Sequence, residues 1–236
     1  MFLTAPFTEK EVREAIFNIE HNKTPGPDGF PAEFYQYFWE VIKGDLMNMF
    51  HDLHFGDLPL FSLNFGVITL LPKTREANTI QQYRPICLLN VSFKTFTKVA
   101  TGRINSVADH LISPTQTTFM RGRNILEGVV VLHETIHELH RKNLSGVIFK
   151  IDFKKSYDKV KWNFLMQMLR LKGFSPKWIE LIKSLISGGR VAINVNDEIS
   201  PFFQTLRAEI GRSTLTHPIQ YSSRYAHTFH QQSQSQ

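Results

Sequence analysis

Asp152 is the residue best placed to do chemistry. It follows an apolar run, Val147 to Ile151, in the stretch Phe149-Lys150-Ile151-Asp152-Phe153-Lys154-Lys155-Ser156-Tyr157-Asp158. Such a run predicts a strand, and a carboxylate ending a strand stands at a sheet's rim, where a cation can bind. Mg²⁺ suits that position, because it takes one or two carboxylates and fills its shell with substrate phosphates and other oxygens. The carbonyl of Phe153 is a plausible extra oxygen, and Tyr157, five residues on, could lie under a bound sugar. The local pattern by itself favours a polar residue capping a strand, with Tyr157 in the core.

His133-Glu134-Thr135-Ile136-His137 offers different chemistry. On a helix, two histidines four apart can ligate one Zn²⁺ while the glutamate polarises water. His140 adds a third imidazole. Against this zinc-hydrolase reading, the apolar stripe runs 125, 129, 132, 136, 139, so each histidine sits one position beyond it. No Gly and His follow at metzincin spacing, and Glu138 puts a charge after the second histidine. The spacing assigns these histidines a solvated or boundary role.

Four basic residues, Lys73, Arg84, Arg121 and Arg123, fall in or beside loops. They could hold phosphates, Arg bidentately, or simply be surface charge. Cys87 has no partner motif and reads as a small buried apolar residue.

The elements that must position these groups follow from periodicity. Thr8 and Glu11 form a capping box before Val12, Ala15, Ile16 and Ile19. Thr24-Pro25-Gly26-Pro27-Asp28-Gly29 breaks any helix. Tyr35, Phe38, Ile42, Leu46, Met49 and Leu53 predict one long helix. Gly66 to Leu71, closed by Pro72, reads as a buried strand, and Ile86 to Leu89 as a second apolar stretch. Phe93, Phe96, Ala100 and Ile104 mark a helix, with Lys94, Lys98 and Arg103 off the stripe. Ile125 to Leu139 predicts a fourth helix, Trp162 to Leu169 a fifth, and Pro176 opens a sixth, ended by Gly188-Gly189. Val191, Ile193 and Val195 alternate as a strand, Asn196-Asp197 turns, and Phe202-Phe203 begins a hairpin partner. The class is mixed α and β, without the regular alternation of a doubly wound sheet.

Composition bounds the rest. The chain has 236 residues, 42% hydrophobic, which is ample for a core. Its net charge of +6 and pI near 9.4 suit an anionic partner, nucleic acid first. A single cysteine excludes an internal disulfide and suits a reducing, intracellular setting. No apolar run approaches the roughly 20 residues that span a bilayer, so no membrane partner is expected. The start, Met1 to Pro6, lacks a signal peptide's regions.

Five segments, in order, resemble the reverse transcriptase of LINE-type (non-LTR) retrotransposons, particularly the plant kind. They are Lys23-Thr24-Pro25-Gly26-Pro27-Asp28-Gly29-Phe30; Ile68-Thr69-Leu70-Leu71-Pro72-Lys73; Tyr83-Arg84-Pro85-Ile86-Cys87-Leu88-Leu89-Asn90; Gln116-Thr117-Thr118-Phe119-Met120-Arg121-Gly122-Arg123-Asn124-Ile125; and Lys150 to Asp158, similar to polymerase motif A. The resemblance spans about residues 5 to 207, and the family's helix near 133–137 often reads much like this one. It implies an α+β right-hand polymerase fold: fingers over 1–145, an incomplete palm over 146–207, and no thumb. Asp152 would be the motif A metal ligand for Mg²⁺, and Tyr157 the gate against a ribose 2′-hydroxyl. Lys73 and Arg84 would hold the incoming triphosphate, and the partners would be an RNA template and a DNA primer. Lys154 stands where the family usually has an acidic residue, and Ser156 where it has Ala. After Arg207 the family's Gly-rich Arg-Gln-Gly-Asp-Pro block and paired-aspartate hairpin are missing from this sequence. Residues 208–236 look like an unrelated tail whose composition predicts disorder. The expectation is a truncated reverse transcriptase domain, inactive alone, with a nucleic-acid-binding remnant as the alternative.

Overall fold

In the computed structural model, residues 2–113, 116, 122–149 and 160–204 are described. Their contacts fall into two compact units, one within residues 2–103 and 160–204, the other within residues 104–113, 116 and 122–149. This grouping rests on packing and does not follow the chain-order division at 145/146, which rests on family resemblance.

In the first unit, α1 (Glu9–Phe17) opens on the expected capping box. Thr8 Oγ1 accepts from the Glu11 amide at 3.3 Å, and Glu11 Oε2 accepts from the Thr8 amide at 2.9 Å. Val12, Ala15 and Ile16 face the core. The single helix expected over 35–53 is two, α2 (Ala32–Tyr37) and α3 (Trp39–Phe55). The break at Phe38 turns Trp39 inward, its ring 6.4 Å from Phe17, and leaves Phe38 outside against Phe34 and Tyr37. The buried stripe therefore runs through Trp39, Leu46, Phe50 and Leu53 rather than through Phe38 and Met49. Gly56, at φ +88°, stops α3, a conformation that costs a residue without Cβ little.

The sheet contains β1 (Phe65–Pro72), β2 (Tyr83–Leu89), β3 (Arg190–Val195), β4 (Glu198–Ile199) and β5 (Phe203–Gln204). Its order is β2-β1-β3-β4, with β5 also on β3. β1 and β2 pair antiparallel from Gly66↔Leu89 to Pro72↔Tyr83, while β1 and β3 are parallel. Asn196 and Asp197, at φ 51° and 66°, make the tight turn into β4, as expected of residues that tolerate left-handed backbone. Phe203 pairs with Val191, so the hairpin partner foreseen at Phe202-Phe203 resumes at β5 beyond Pro201, which has no amide to donate. Buried Asn64 ties the sheet together. Its Nδ2 donates to the Leu185 and Ser187 carbonyls, and its main-chain carbonyl accepts from the Arg190 amide at 3.0 Å.

Between strands run α4 (Val91–Leu111), α6 (Trp162–Leu171) and α7 (Pro176–Ile186), and α5 (Ile125–Arg141) lies in the second unit. α7 starts on the Ser175 cap with Pro176 in its first turn. The core of the first unit joins Phe50, Phe93, Phe96, Leu89, Trp178 and Val191, the Phe50 and Phe96 rings 4.5 Å apart. Arg103 corrects the sequence reading. Expected off the stripe, it is 2% exposed, because Phe96, Ala100 and Arg103 share one face at helical spacing.

Residues 147–149 correct it again, for they carry no strand pairing and stay exposed. An apolar run becomes a strand only by pairing, and the described residues of its own unit contain no strand to pair with. Helix α5 has the expected span, capped by Asn124, yet none of its residues is buried. No described helix is long and apolar enough to cross a membrane. The tail 208–236 lies outside the described residues.

Candidate functional site

The β1–β2 hairpin brings two of the basic candidates together. Leu71 is registered opposite Arg84, and the Lys73 amide donates to the Gln82 carbonyl at 2.8 Å. Residues two apart on a strand share a face, as do residues directly opposite on paired strands. Lys73, one residue past β1, and Arg84 in β2 are therefore diagonal neighbours on one face, both exposed, at the hairpin's loop end. The connecting loop is built to hold that end still. Gln82 Oε1 accepts from the Asn78 and Thr79 amides, and the Tyr83 hydroxyl donates to the Ala77 carbonyl at 3.0 Å. Lys73 Nζ donates to the Gln81 carbonyl at 2.5 Å.

A second junction joins two of the sequence blocks. The Asp28 amide donates to Asn90 Oδ1 at 3.2 Å, across 62 residues. A Cβ on Gly26 would stand 2.4 Å from the Asn90 amide nitrogen, so only glycine lets the loop lie against the end of β2. Gly29, at φ +77°, turns the loop back, its amide bonded to the Gly26 carbonyl. Burial pushes the Asp28 carboxyl up, opposed by the Phe30 amide and the charge of Lys94. Burial likewise pushes the Lys94 ammonium down, opposed by Cys87 and Asp28. Half-buried Lys98, one turn on, donates to the Asn18 carbonyl, and burial lowers its pKa. Cys87 is buried, as its sequence context suggested.

Arg123 is placed differently from the sequence reading. Nη1 donates to the Ser113 and Gln116 carbonyls at 2.6 and 2.9 Å, and Nη2 to Asp109 Oδ1 at 3.1 Å and the Ile112 carbonyl. The guanidinium closes a loop instead of offering its fork to phosphate. Arg121, Asp152, Phe153 and Tyr157 lie outside the described residues.

On α5, His133, Glu134 and His137 are exposed and line a shallow concavity with Val130 and Glu138. Glu138 is taken by Arg141 and Lys142, at 2.7 and 2.9 Å, and the Arg141 hydrogen bond heads the causes that lower its pKa. No three His, Cys, Asp or Glu side chains converge for a metal among the described residues.

Sequence reasoning missed Asn64, Asn90 and Arg103. Arg103 carried a visible signal, its place on the Phe96–Ala100 face. The two asparagines carried none, since their partners are backbone groups far along the chain.

Comparison with known proteins agrees with the resemblance. The family described as reverse transcriptase (RNA-dependent DNA polymerase) matches residues 71–213. A Xenopus laevis protein, the transposon TX1 uncharacterized 149 kDa protein, is 30% identical over 195 residues, 82% of this chain and 15% of that one. The Pol polyprotein from the type-2 retrotransposable element R2DM of Drosophila melanogaster is 23% identical, over 79% of this chain and 17% of its own length. The RNA-directed DNA polymerase from mobile element jockey of Drosophila funebris is 22% identical, over 92% and 24%. The chain thus spans less than a quarter of each of these relatives. The charged hairpin end, the docked Gly-Pro-Asp-Gly loop and these similarities converge: the chain belongs to the reverse transcriptase (RNA-dependent DNA polymerase) family, of the non-LTR retrotransposon kind.

Proposed function

We propose that this chain is the fingers and part of the palm of a right-hand polymerase from a plant-type retrotransposon, and that it grips template and nucleotide without extending a primer alone. The observation that carries this reading is the shared face of Lys73 and Arg84 at the stiffened end of the β1–β2 hairpin. Two cations diagonal to each other on a rigid hairpin suit a triphosphate, with Arg84 donating bidentately and Lys73 acting as a point charge. Asp152 and the Phe153 carbonyl are hard oxygen donors, the donor set that Mg²⁺ prefers. Bound there, Mg²⁺ would offset charge on the nucleotide phosphates. One carboxylate does not complete a site for two metals, which is what nucleotidyl transfer needs. Tyr157 would shape the sugar pocket, and Arg121 would meet the template backbone. Arg123 would position that segment from behind.

Photocrosslinking of a photoreactive deoxynucleoside triphosphate with Mg²⁺ tests this. Labelling should be competed by unlabelled triphosphate and fall at least about tenfold in Lys73→Ala/Arg84→Ala, the scale of losing charge-assisted hydrogen bonds. Labelling that ignores both the competitor and the substitutions would overturn the reading.

A further inference from the structure

The chain's charge is divided along its length in a way that the polymerase reading does not use. Residues 1–58 hold ten acidic side chains and four basic ones, though the whole chain is +6. The basic excess therefore lies entirely after residue 58. The acidic part also carries the first unit's most exposed aromatic and aliphatic side chains on helices. Tyr37 is 84% exposed and Val41 77%, at the meeting of α2 and α3. Their neighbours form a continuous row of rings. Phe30 lies 4.7 Å from Phe34, Phe34 5.0 Å from Phe38, and Phe38 4.9 Å from Tyr37.

An exposed row of rings on a nucleic-acid enzyme first suggests base stacking. Stacking platforms, however, work with a positively charged groove that tracks the phosphates. The surroundings here have the opposite sign. Glu40 and Asp45 flank Val41 on α3, both exposed, and Asp45 makes no ion pair among the described residues. Lys43, the cation of that stretch, is already shared between Glu40 at 2.6 Å and Glu9 at 3.8 Å. A phosphate backbone would be repelled.

We propose that the Tyr37–Val41–Asp45 face is a docking surface for an arginine-bearing segment of another protein. Arginine fits both halves of the surface. Its planar guanidinium stacks on aromatic rings and pairs bidentately with carboxylates. The neighbouring helix makes the same contact internally, with Arg13 lying 4.4 Å above the centre of the Phe17 ring. The apolar side chains of the partner would cover Val41 and Phe38, and its arginines would reach Tyr37, Glu40 and Asp45. The inference is independent of the nucleotide-binding reading, because none of its residues belongs to the β1–β2 hairpin.

The test uses the whole chain and two fluorescent probes, a peptide of about 15 residues mixing arginine with leucine, and a single-stranded RNA of similar length. Tyr37→Ala/Val41→Ser and Asp45→Lys alter exposed side chains only, and circular dichroism checks that each variant is folded. Peptide binding should weaken about tenfold in each variant, as expected of an interface anchor, while RNA binding is unchanged. No peptide binding, or peptide binding indifferent to both variants, would overturn the proposal. So would RNA binding that falls with Tyr37→Ala/Val41→Ser, which would make the face a base-stacking platform instead.

Discussion

Arg103 and Glu11 form a bidentate ion pair across 92 residues, Nε to Oε1 at 2.8 Å and Nη2 to Oε2 at 2.9 Å. The guanidinium is buried, and its remaining donors serve the carbonyls of Leu3, Ala5 and Pro6. The ring of Phe7 lies 4.1 Å beneath it. One side chain on α4 thus anchors the N-terminal segment and α1 together. Arg103→Ala would leave Glu11 and three carbonyls without these bonds and should cost about 3 to 5 kcal/mol, read as a lower urea midpoint. Arg103→Lys should recover little of it, since an ammonium cannot reproduce the fork.

The same pair predicts an acid dependence. Burial would raise the Glu11 carboxyl, but hydrogen bonds from Arg103 and Thr8 outweigh it and hold the pKa below its ordinary value. A depressed folded pKa gives stability that is present in full above the unfolded value, about 4.3, and lost as pH falls through the folded one. The stability difference between the wild type and Glu11→Gln should therefore be constant near neutrality and shrink below about pH 4. A difference that grows on acidification would contradict the sign.

Two glycines should respond oppositely to alanine. At Gly26 the new methyl would meet backbone atoms of Leu89 and Asn90 at 2.5 and 2.4 Å, and backbone cannot swing aside. Gly26→Ala should cost about 2 kcal/mol or more and weaken the Asp28–Asn90 contact. Gly102 lies in α4, and a methyl group there would meet nothing within 4 Å outside the helix's own backbone. Gly102→Ala should stabilise by up to about 1 kcal/mol, the helix-propensity difference. Equal effects at the two sites would mean that the loop is not held as described.

These relationships mark where the sequence was legible. The Thr8 cap, the start of α7 at Pro176 and the Asn196-Asp197 turn depend on neighbours within a few residues, and periodicity or turn chemistry showed them. Two elements went astray because a distant partner decides them. Arg103 is inside because Glu11 and three carbonyls compensate its charge, and Phe38 is outside because Trp39 takes the core position against Phe17. The basic candidates were legible only in part. The β1–β2 register sets Lys73 and Arg84 at one hairpin end, while Arg123 is spent on its own loop, a choice that no spacing rule encodes.

Purified protein should carry no stoichiometric zinc. His133 and His137 offer two imidazoles on an exposed helix, and a structural zinc site closes its shell with four ligands. Elemental analysis should return well under one zinc per chain, roughly what adventitious binding leaves. About one zinc, lost with His133→Ala, would revive the hydrolase reading.

Nucleic-acid binding should be weak, tolerant of sequence and steeply dependent on salt. Each phosphate neutralised by Lys or Arg releases counterions, so the logarithm of affinity falls linearly with the logarithm of salt. Removing Lys73 and Arg84 together should flatten that slope by about one to two units and lower affinity alike for all sequences. An unchanged slope would mean that the hairpin end does not touch phosphate.

The chain should not extend a DNA primer on an RNA template with Mg²⁺ and deoxynucleotides. Two metals must clamp the attacking and leaving oxygens, and in the proposed reading Asp152 would supply one carboxylate toward them. The acidic residues after Tyr157 are Asp158, Glu180, Asp197, Glu198 and Glu209. Asp158 is too close along the chain to face Asp152 across a site. Glu180 lies on α7 and binds Lys183 at 3.0 Å. Asp197 and Glu198 are the nearest approach to a paired acidic motif, but Asp197 is the second turn residue of a tight hairpin at φ 66°, and Glu198 is an exposed start of β4. Strand pairing sends Glu198 back against Val195, where it solvates the turn. Losing a ligand pair from such a site removes at least about 4 kcal/mol of transition-state stabilisation, or roughly a thousandfold in rate. Template-dependent extension above that level, abolished by Asp152→Ala, would refute the inactive reading and make Asp197 and Glu198 the next residues to substitute.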